Sequence, residues 1–209
     1  MAGSLGFYRG LDAPALPLAV PLAVAACLLS LQSVGWPVKW FAWHPWLMIF
    51  AWIAVAFTSI AVKRKGGRTN TLFHGYSMVV CATMTLMGYY VIHTHKNAIG
   101  KPHLQTYHSW TGFAVIVLMA VGAIASLGAL HPDGGMLRKH AAVRALHKMS
   151  FRVVTVLALV TMLSGWYKLS GGAWFSTTLL AVLEMALAVL FLSPARGIAG
   201  VTSGAKFPV

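Results

Sequence analysis

The sequence predicts an all-α membrane protein of six transmembrane helices, with spans two to five forming a central four-helix bundle. Three observations carry this. First, hydrophobic residues make up 58% of the chain and charged residues 9%, where a soluble domain carries roughly a quarter. Second, the apolar residues fall into six stretches of about 20, the length of a bilayer-crossing helix. Third, four histidines, His44, His74, His108 and His147, stand one each near the starts of four successive stretches.

The six spans cover residues 14–35, 43–62, 72–92, 107–129, 148–168 and 173–193. Span one follows Arg9 and begins among Pro14, Pro17 and Pro21. Its length favours a retained helix over a cleaved leader. Span five carries Lys148 and Arg152 in its first turns, where long basic side chains reach the headgroups. The loops are short, so residues 1–209 are expected to form a single domain. Cys27 and Cys81 lie within apolar spans and read as small hydrophobes. No CxxCH occurs, so covalent haem attachment is not indicated.

Lys and Arg number 16 against three acids, Asp12, Asp133 and Glu184. Their confinement to inter-span loops is a topology signal, and no aromatic-plus-basic platform for nucleic acid accompanies them. With alternating spans, most fall on one side: Arg9; Lys63, Arg64, Lys65 and Arg68; Arg138, Lys139, Arg144, Lys148 and Arg152; Arg196 and Lys206. Lys39, Lys96, Lys101 and Lys168 fall on the other. The positive-inside rule then puts both termini in the cytoplasm. Trp36, Trp40, Trp43 and Trp46 gather at the opposite face as an interfacial belt.

This orientation sorts the histidines by depth. Spans two and four begin outside, so His44 and His108 share an outer level. Spans three and five begin inside, so His74 and His147 share an inner level. A lone histidine at a helix end is usually an interfacial polar residue. One per consecutive span in alternating register calls for a common cause, because ionisable groups in a membrane are costly. Two stacked haems, each iron held by one pair, meet that requirement, and facing helices are where bundles build cofactor sites. A second protein ligand closes the iron to small molecules and leaves electron transfer as its task. The alternative is a histidine pathway for metal ions or protons, against which the near absence of acidic ligands within the spans counts.

The outer loop HTHKNAIGKPHLQTYHSWTG brings His93, His95 and His103 together with Lys96 and Lys101. It reads either as a solvated polar loop or as a basic rim that binds an anion or a metal complex. His131 and His140 read as surface residues. Gly75, Gly88, Gly112 and Gly122 allow close approach of a helix or a porphyrin, and helix packing alone accounts for them equally well. Glu184 reads as a protonated, hydrogen-bonded carboxyl, with proton movement or partner contact as the alternative.

WHPWLM around His44, RKGGRTNTLFH ending at His74, YHSWTG around His108, and His147 after a basic loop resemble the cytochrome b561 family of ascorbate-linked transmembrane reductases. HKNAIGKPH, ahead of His108, is most similar to the branch of tumour-suppressor-like, domain-containing b561 proteins of animals. The resemblance spans all six helices. It implies two non-covalent haems b, the outer on His44 and His108 and the inner on His74 and His147. It implies an oxidoreductase passing single electrons from cytoplasmic ascorbate to ferric iron or monodehydroascorbate on the far side. It implies a cytoplasmic ascorbate site at Lys65, Arg68 and Arg138, where Arg64 or Arg144 could substitute, and an acceptor site at His95, Lys96, Lys101 and His103. A homodimer, in the plasma membrane or an endomembrane, is the expected setting. Met78 departs from the pattern, since many animal members have a histidine there. A quinol-fed haem b subunit would also be a di-haem bundle, but the HKxxxGKxH loop argues against it.

Overall fold

The computed structural model describes residues 23, 24, 26–28, 39–174, 178, 180 and 181. Among these, four helices are long and apolar enough to cross a membrane: α1 (Trp40–Arg64), α2 (Arg68–Ala98), α3 (Tyr107–Leu130) and α4 (Ala141–Leu169). They correspond to expected spans two to five. Expected spans one and six, with Glu184 and Trp36, lie largely or wholly outside the described residues.

The chain punctuates these helices with local chemistry. α1 opens as a 3-10 turn, Trp40–Ala42. Pro45 follows near the start of the α-helical part, where proline's fixed φ is tolerated. The helix widens into a π segment, Phe50–Ala56, then returns to α geometry over Phe57–Arg64. It ends at Gly66 and Gly67, whose φ values of 74° and 86° suit glycine. α2 and α4 both close on Schellman motifs. Gly100 N–H donates to Asn97 O (3.2 Å) and Lys101 N–H to Lys96 O (2.9 Å). In the same way Gly171 N–H donates to Lys168 O (3.3 Å) and Gly172 N–H to Tyr167 O (2.9 Å). A reciprocal capping box between Thr106 and Ser109 starts α3.

Two boundaries differ from the hydropathy reading. α2 continues to Ala98, so His93, His95 and Lys96 stand on its last turns rather than in a loop. α4 begins at Ala141, which puts His147 in its second turn. Hydropathy marks where lipid ends, whereas helix propensity lets Lys, Arg and Asn continue a helix past that plane.

Short connections make successive helices antiparallel neighbours. α3 packs most extensively on α4, and α1 packs along α2. Contacts of α2 with α3 and of α1 with α4 close the ring. The middle of α1 is buried on every side, Ala51 to Ala54 inclusive. One face of α1 packs Ile49, Ile53 and Phe57 with Ala23, Ala26 and Leu159. The other packs Ala51, Trp52 and Ala56 with Cys81, Val115, Met119, Val154 and Ala158. The Cys81 thiol donates to the Ala51 carbonyl within the π segment (3.1 Å). Met78 packs against this second cluster.

The outward faces are apolar too. Val117, Val121 and Ile124 on α3, and Met149, Val153, Val156 and Val160 on α4, are exposed at helical spacing, Ile124 at 73%. Such stripes suit lipid rather than water.

The α3–α4 loop folds back on the end of α3. Met136 N–H and Leu137 N–H donate to the carbonyls of Gly128 and Ala129 (3.3 and 2.9 Å), which otherwise have no partner at a helix end. This close return requires Gly135, where a Cβ would lie 2.5 Å from His131 N and 2.6 Å from Ala129 O. Gly135→Ala is therefore expected to destabilise the loop by about 1–3 kcal/mol. Protease cleavage between residues 131 and 140 should become faster in the variant, and an unchanged rate would show that the return does not depend on glycine.

Candidate functional site

The four histidines meet as two pairs. The rings of His44 on α1 and His108 on α3 lie 6.3 Å apart between centroids, at 84°. Those of His74 on α2 and His147 on α4 also lie 6.3 Å apart, at 80°. Helix direction explains the pairing. α1 and α3 run one way and α2 and α4 the other, so a histidine near each start falls at alternate levels. From His74 to Gly88, which lies at the other level, α2 rises roughly 21 Å.

Each ring is held by its Nδ1. His44 Nδ1–H donates to the Gly88 carbonyl (2.9 Å). His108 Nδ1–H donates to the Thr161 carbonyl (2.9 Å), with Ser164 Oγ at 3.3 Å. At the other level, His74 Nδ1 lies 2.9 Å from Ser59 Oγ and His147 Nδ1 lies 2.9 Å from Ser126 Oγ. Ser59 also donates its hydroxyl hydrogen to the His74 carbonyl (3.2 Å). Its oxygen is therefore the acceptor for the ring N–H. With Nδ1 occupied, Nε2 is the nitrogen each ring has left for a metal.

Two glycines bring the helices close enough. At Gly88 a Cβ would lie 3.0 Å from Met48 Cε and 3.5 Å from the His44 carbonyl oxygen. At Gly165 it would lie 2.7 Å from His108 Cε1 and 3.1 Å from Nδ1, so α4 lies flat against that ring only because the residue has no side chain. Of the other glycines read from the sequence, Gly112 abuts Thr161 Cγ2 at 3.4 Å, and a Cβ on Gly75 or Gly122 meets no protein atom.

At the end nearer His44 and His108, the expected acceptor residues divide. His103 stacks on His93 (4.4 Å, 20°), and its Nε2–H donates to Asn97 Oδ1 (2.7 Å). Partial burial, with the His93 ring and Lys96, pushes the His103 imidazole below its ordinary pKa. Lys96 donates to the Pro102 carbonyl (3.1 Å). Lys101 follows Gly100, and its backbone N–H closes α2. His95 packs on Phe41 (5.2 Å), whose ring centroid lies 6.2 Å from that of His44. Trp40 Nε1–H donates to Thr94 Oγ1 (3.1 Å) and ties the start of α1 to the end of α2.

At the other end, Arg68 makes a bidentate pair with Asp133, Nε to Oδ1 at 2.6 Å and Nη2 to Oδ2 at 2.7 Å. Arg138 donates to the carbonyls of Pro132 and Asp133. Arg68 and Arg138 thus converge on the α3–α4 loop, with Lys65 exposed ahead of α2. The hydrogen bonds from Arg68 hold the Asp133 carboxyl below the usual carboxylate range. The pair's contribution is present above that range and is lost only as pH falls through the lowered value. It stabilises little, because both partners are exposed. Lys63 is hydrogen-bonded to Thr71 Oγ1.

The family model of eukaryotic cytochrome b561 matches residues 43–171, from the residue before His44 to the glycine turn after α4. The chain belongs to the cytochrome b561 family. Among curated proteins, the transmembrane reductase CYB561D2 of Mus musculus is 24% identical over 157 residues, covering 68% of this chain and 71% of the relative. Its counterpart in Homo sapiens is 26% identical over 160 residues, with the same coverage. The name cytochrome brings haem b as the implied cofactor of this b561 chain.

The geometry of the pairs fits that group. An iron between two imidazoles needs about 2 Å for each metal–nitrogen bond, and roughly 1 Å more from each nitrogen to its ring centroid, about 6 Å in all. Among the described residues, no group of three or more His, Cys, Asp or Glu side chains converges on a metal site. Two nitrogens per site suit an iron whose other four donors belong to a porphyrin.

Ser59, Ser126, Thr161 and Gly165 were not among the residues read from the sequence, and His93 was read only as part of the outer rim and not as one of the acceptor-site residues. The level arithmetic that paired the histidines would have reached the serines. Ser59 lies late in α1 and Ser126 late in α3, at the depth of His74 and His147. Gly165 had no such signal, because its role depends on how α4 is rotated against α3.

Proposed function

We propose that this b561 protein is an oxidoreductase that carries electrons across the membrane, from cytoplasmic ascorbate to ferric iron or monodehydroascorbate on the far side. His44 and His108 hold an outer haem b, and His74 and His147 an inner one. Each haem takes up and releases one electron at a time, which is the chemistry the cofactor supplies when bound. The observation that carries this reading is two imidazole pairs, each 6.3 Å apart and each with Nδ1 occupied by a hydrogen bond. The relatives' printed name, transmembrane reductase, supports the reaction class.

The histidines fix the cofactor's position, and the loops supply the mouths. Ascorbate is a monoanion at neutral pH, and basic residues beside a low-dielectric wall concentrate anions. Lys65, Arg68 and Arg138 form the cytoplasmic mouth. Asp133 neutralises Arg68, so Lys65 and Arg138 supply the net charge there. His95, Lys96, Lys101 and His103 form the acceptor mouth. Both termini face the cytoplasm, residues 1–209 form one domain, and the protein works as a homodimer.

The test is a visible spectrum of the detergent-purified protein, oxidised and then ascorbate-reduced, with haem quantified per chain. Two haems b with a bis-histidine reduced spectrum, formed by ascorbate, are expected. A colourless protein after haem-replete expression would sink the reading and leave the histidines to metal or proton movement. A narrower prediction concerns the mouth. Lys65→Ala and Arg138→Ala should each raise the KM for ascorbate up to about tenfold, equivalent to about 1.4 kcal/mol of lost interaction. Both haems should remain, and an unchanged KM in the double variant would move the ascorbate site elsewhere.

A further inference from the structure

The two pairs are anchored by different chemistry. Backbone carbonyls, Gly88 O and Thr161 O, each at 2.9 Å, are the nearer partners of the His44–His108 pair, with the Ser164 hydroxyl at a longer 3.3 Å from His108 Nδ1. Side-chain hydroxyls, Ser59 Oγ and Ser126 Oγ, hold the His74–His147 pair. A carbonyl acceptor belongs to the helix backbone and survives any side-chain replacement. A hydroxyl can be removed by one substitution.

We propose that Ser59 and Ser126 are positioning residues for the His74–His147 pair, setting ring orientation and ligand basicity at that centre alone. This rests on the reading of the pairs as haem ligands.

Ser59 is fully buried and grips His74 twice, accepting from the ring and donating to the backbone carbonyl of the same residue. Ser126 reaches His147 from the neighbouring helix α3. An acceptor on Nδ1–H pushes electron density toward Nε2, which favours the ferric over the ferrous ion. Without the acceptor the midpoint potential should rise. The hydroxyl also fixes a ring plane that stands at 80° to its partner. Near-perpendicular imidazole planes give a low-spin ferric EPR signal with one large g value, so a freed ring should move that signal.

The experiment compares haem-loaded wild type with Ser59→Ala, Ser126→Ala and the double variant, using EPR and redox titration. In the double variant the His74–His147 centre should change its large g value, and its reduced-to-oxidised ratio at fixed potential should rise about tenfold, or about 59 mV for a one-electron couple. The His44–His108 centre should stay unchanged. Ser126→Thr keeps a hydroxyl and should restore the wild-type signal. Ser126 is only partly buried, so its variants test the idea even where Ser59→Ala fails to fold. Two unshifted midpoints and two unchanged signals would overturn the proposal. A wild-type protein without haem, or a His74→Ala protein that keeps both haems, would instead overturn the ligand reading on which it stands.

Discussion

Replacing His108 with alanine is expected to take the haem content from two per chain to one and to reduce transmembrane electron transfer to background. On the proposed pairing His108 supplies one of the two nitrogens at its site, and the ring facing it belongs to His44. His44→Ala should therefore remove the same spectral component. The double variant should be no worse than either single one, since residues acting as a unit are not additive. His74→Ala and His147→Ala should remove the other component. The helices should survive these changes. In His108→Ala the Thr161 carbonyl keeps the Ser164 hydroxyl (2.8 Å). In His74→Ala, Ser59 keeps the backbone carbonyl of residue 74. Haem per chain, with difference spectra assigning the missing component, decides the matter. Retention of both haems in His108→Ala would show that the pairing is wrong.

Gly165→Ala should have nearly as large an effect without replacing any of the four histidines. The new Cβ would lie 2.7 Å from His108 Cε1 and 3.4 Å from Nε2, where ordinary carbon contacts sit at about 3.5–4.0 Å. The ring must shift by roughly 1 Å, or α4 must move away. Either disturbs the 6.3 Å pairing with His44 and strains the bond to Thr161. Disturbing a supporting contact of this kind costs about 10–100-fold in affinity for the bound group. Haem titration should show the weaker affinity at the His44–His108 site alone. Gly112→Ala is the control, since its Cβ would meet Thr161 Cγ2 at 3.4 Å, the edge of ordinary contact. Equal haem affinity in Gly165→Ala and wild type would mean that α4 yields at no cost.

The contrast between these two residues reflects what sequence can carry. His108 was legible because period and charge are one-dimensional. Apolar runs set the spans, basic loops set their direction, and direction alone sorted four histidines into two levels. The four described membrane helices follow that reading. The errors were at the ends, where His93, His95 and Lys96 were read as a loop and stand on α2. Hydropathy reports the membrane boundary and is blind to a polar helix that passes it. The outer loop was also read as a single cluster. His103 instead stacks on His93, while His95 turns to Phe41.

Arg68 illustrates the same limit in charge. Counted along the chain, it belongs to a basic stretch. In space it shares both carboxylate oxygens of Asp133, a residue on the far loop that sequence distance separates from it.

The sequence by itself determined the membrane class, the helix order and the alternation of histidine depth, because these follow from polarity read along a line. Only the tertiary structure decided which ring faces which at 6.3 Å, that carbonyls hold one pair and serine hydroxyls the other, and that Gly165 must lack a side chain. Those depend on the rotation and closeness of packed helices. Rotation and closeness come from side-chain interlocking between segments distant in sequence, which no local pattern encodes.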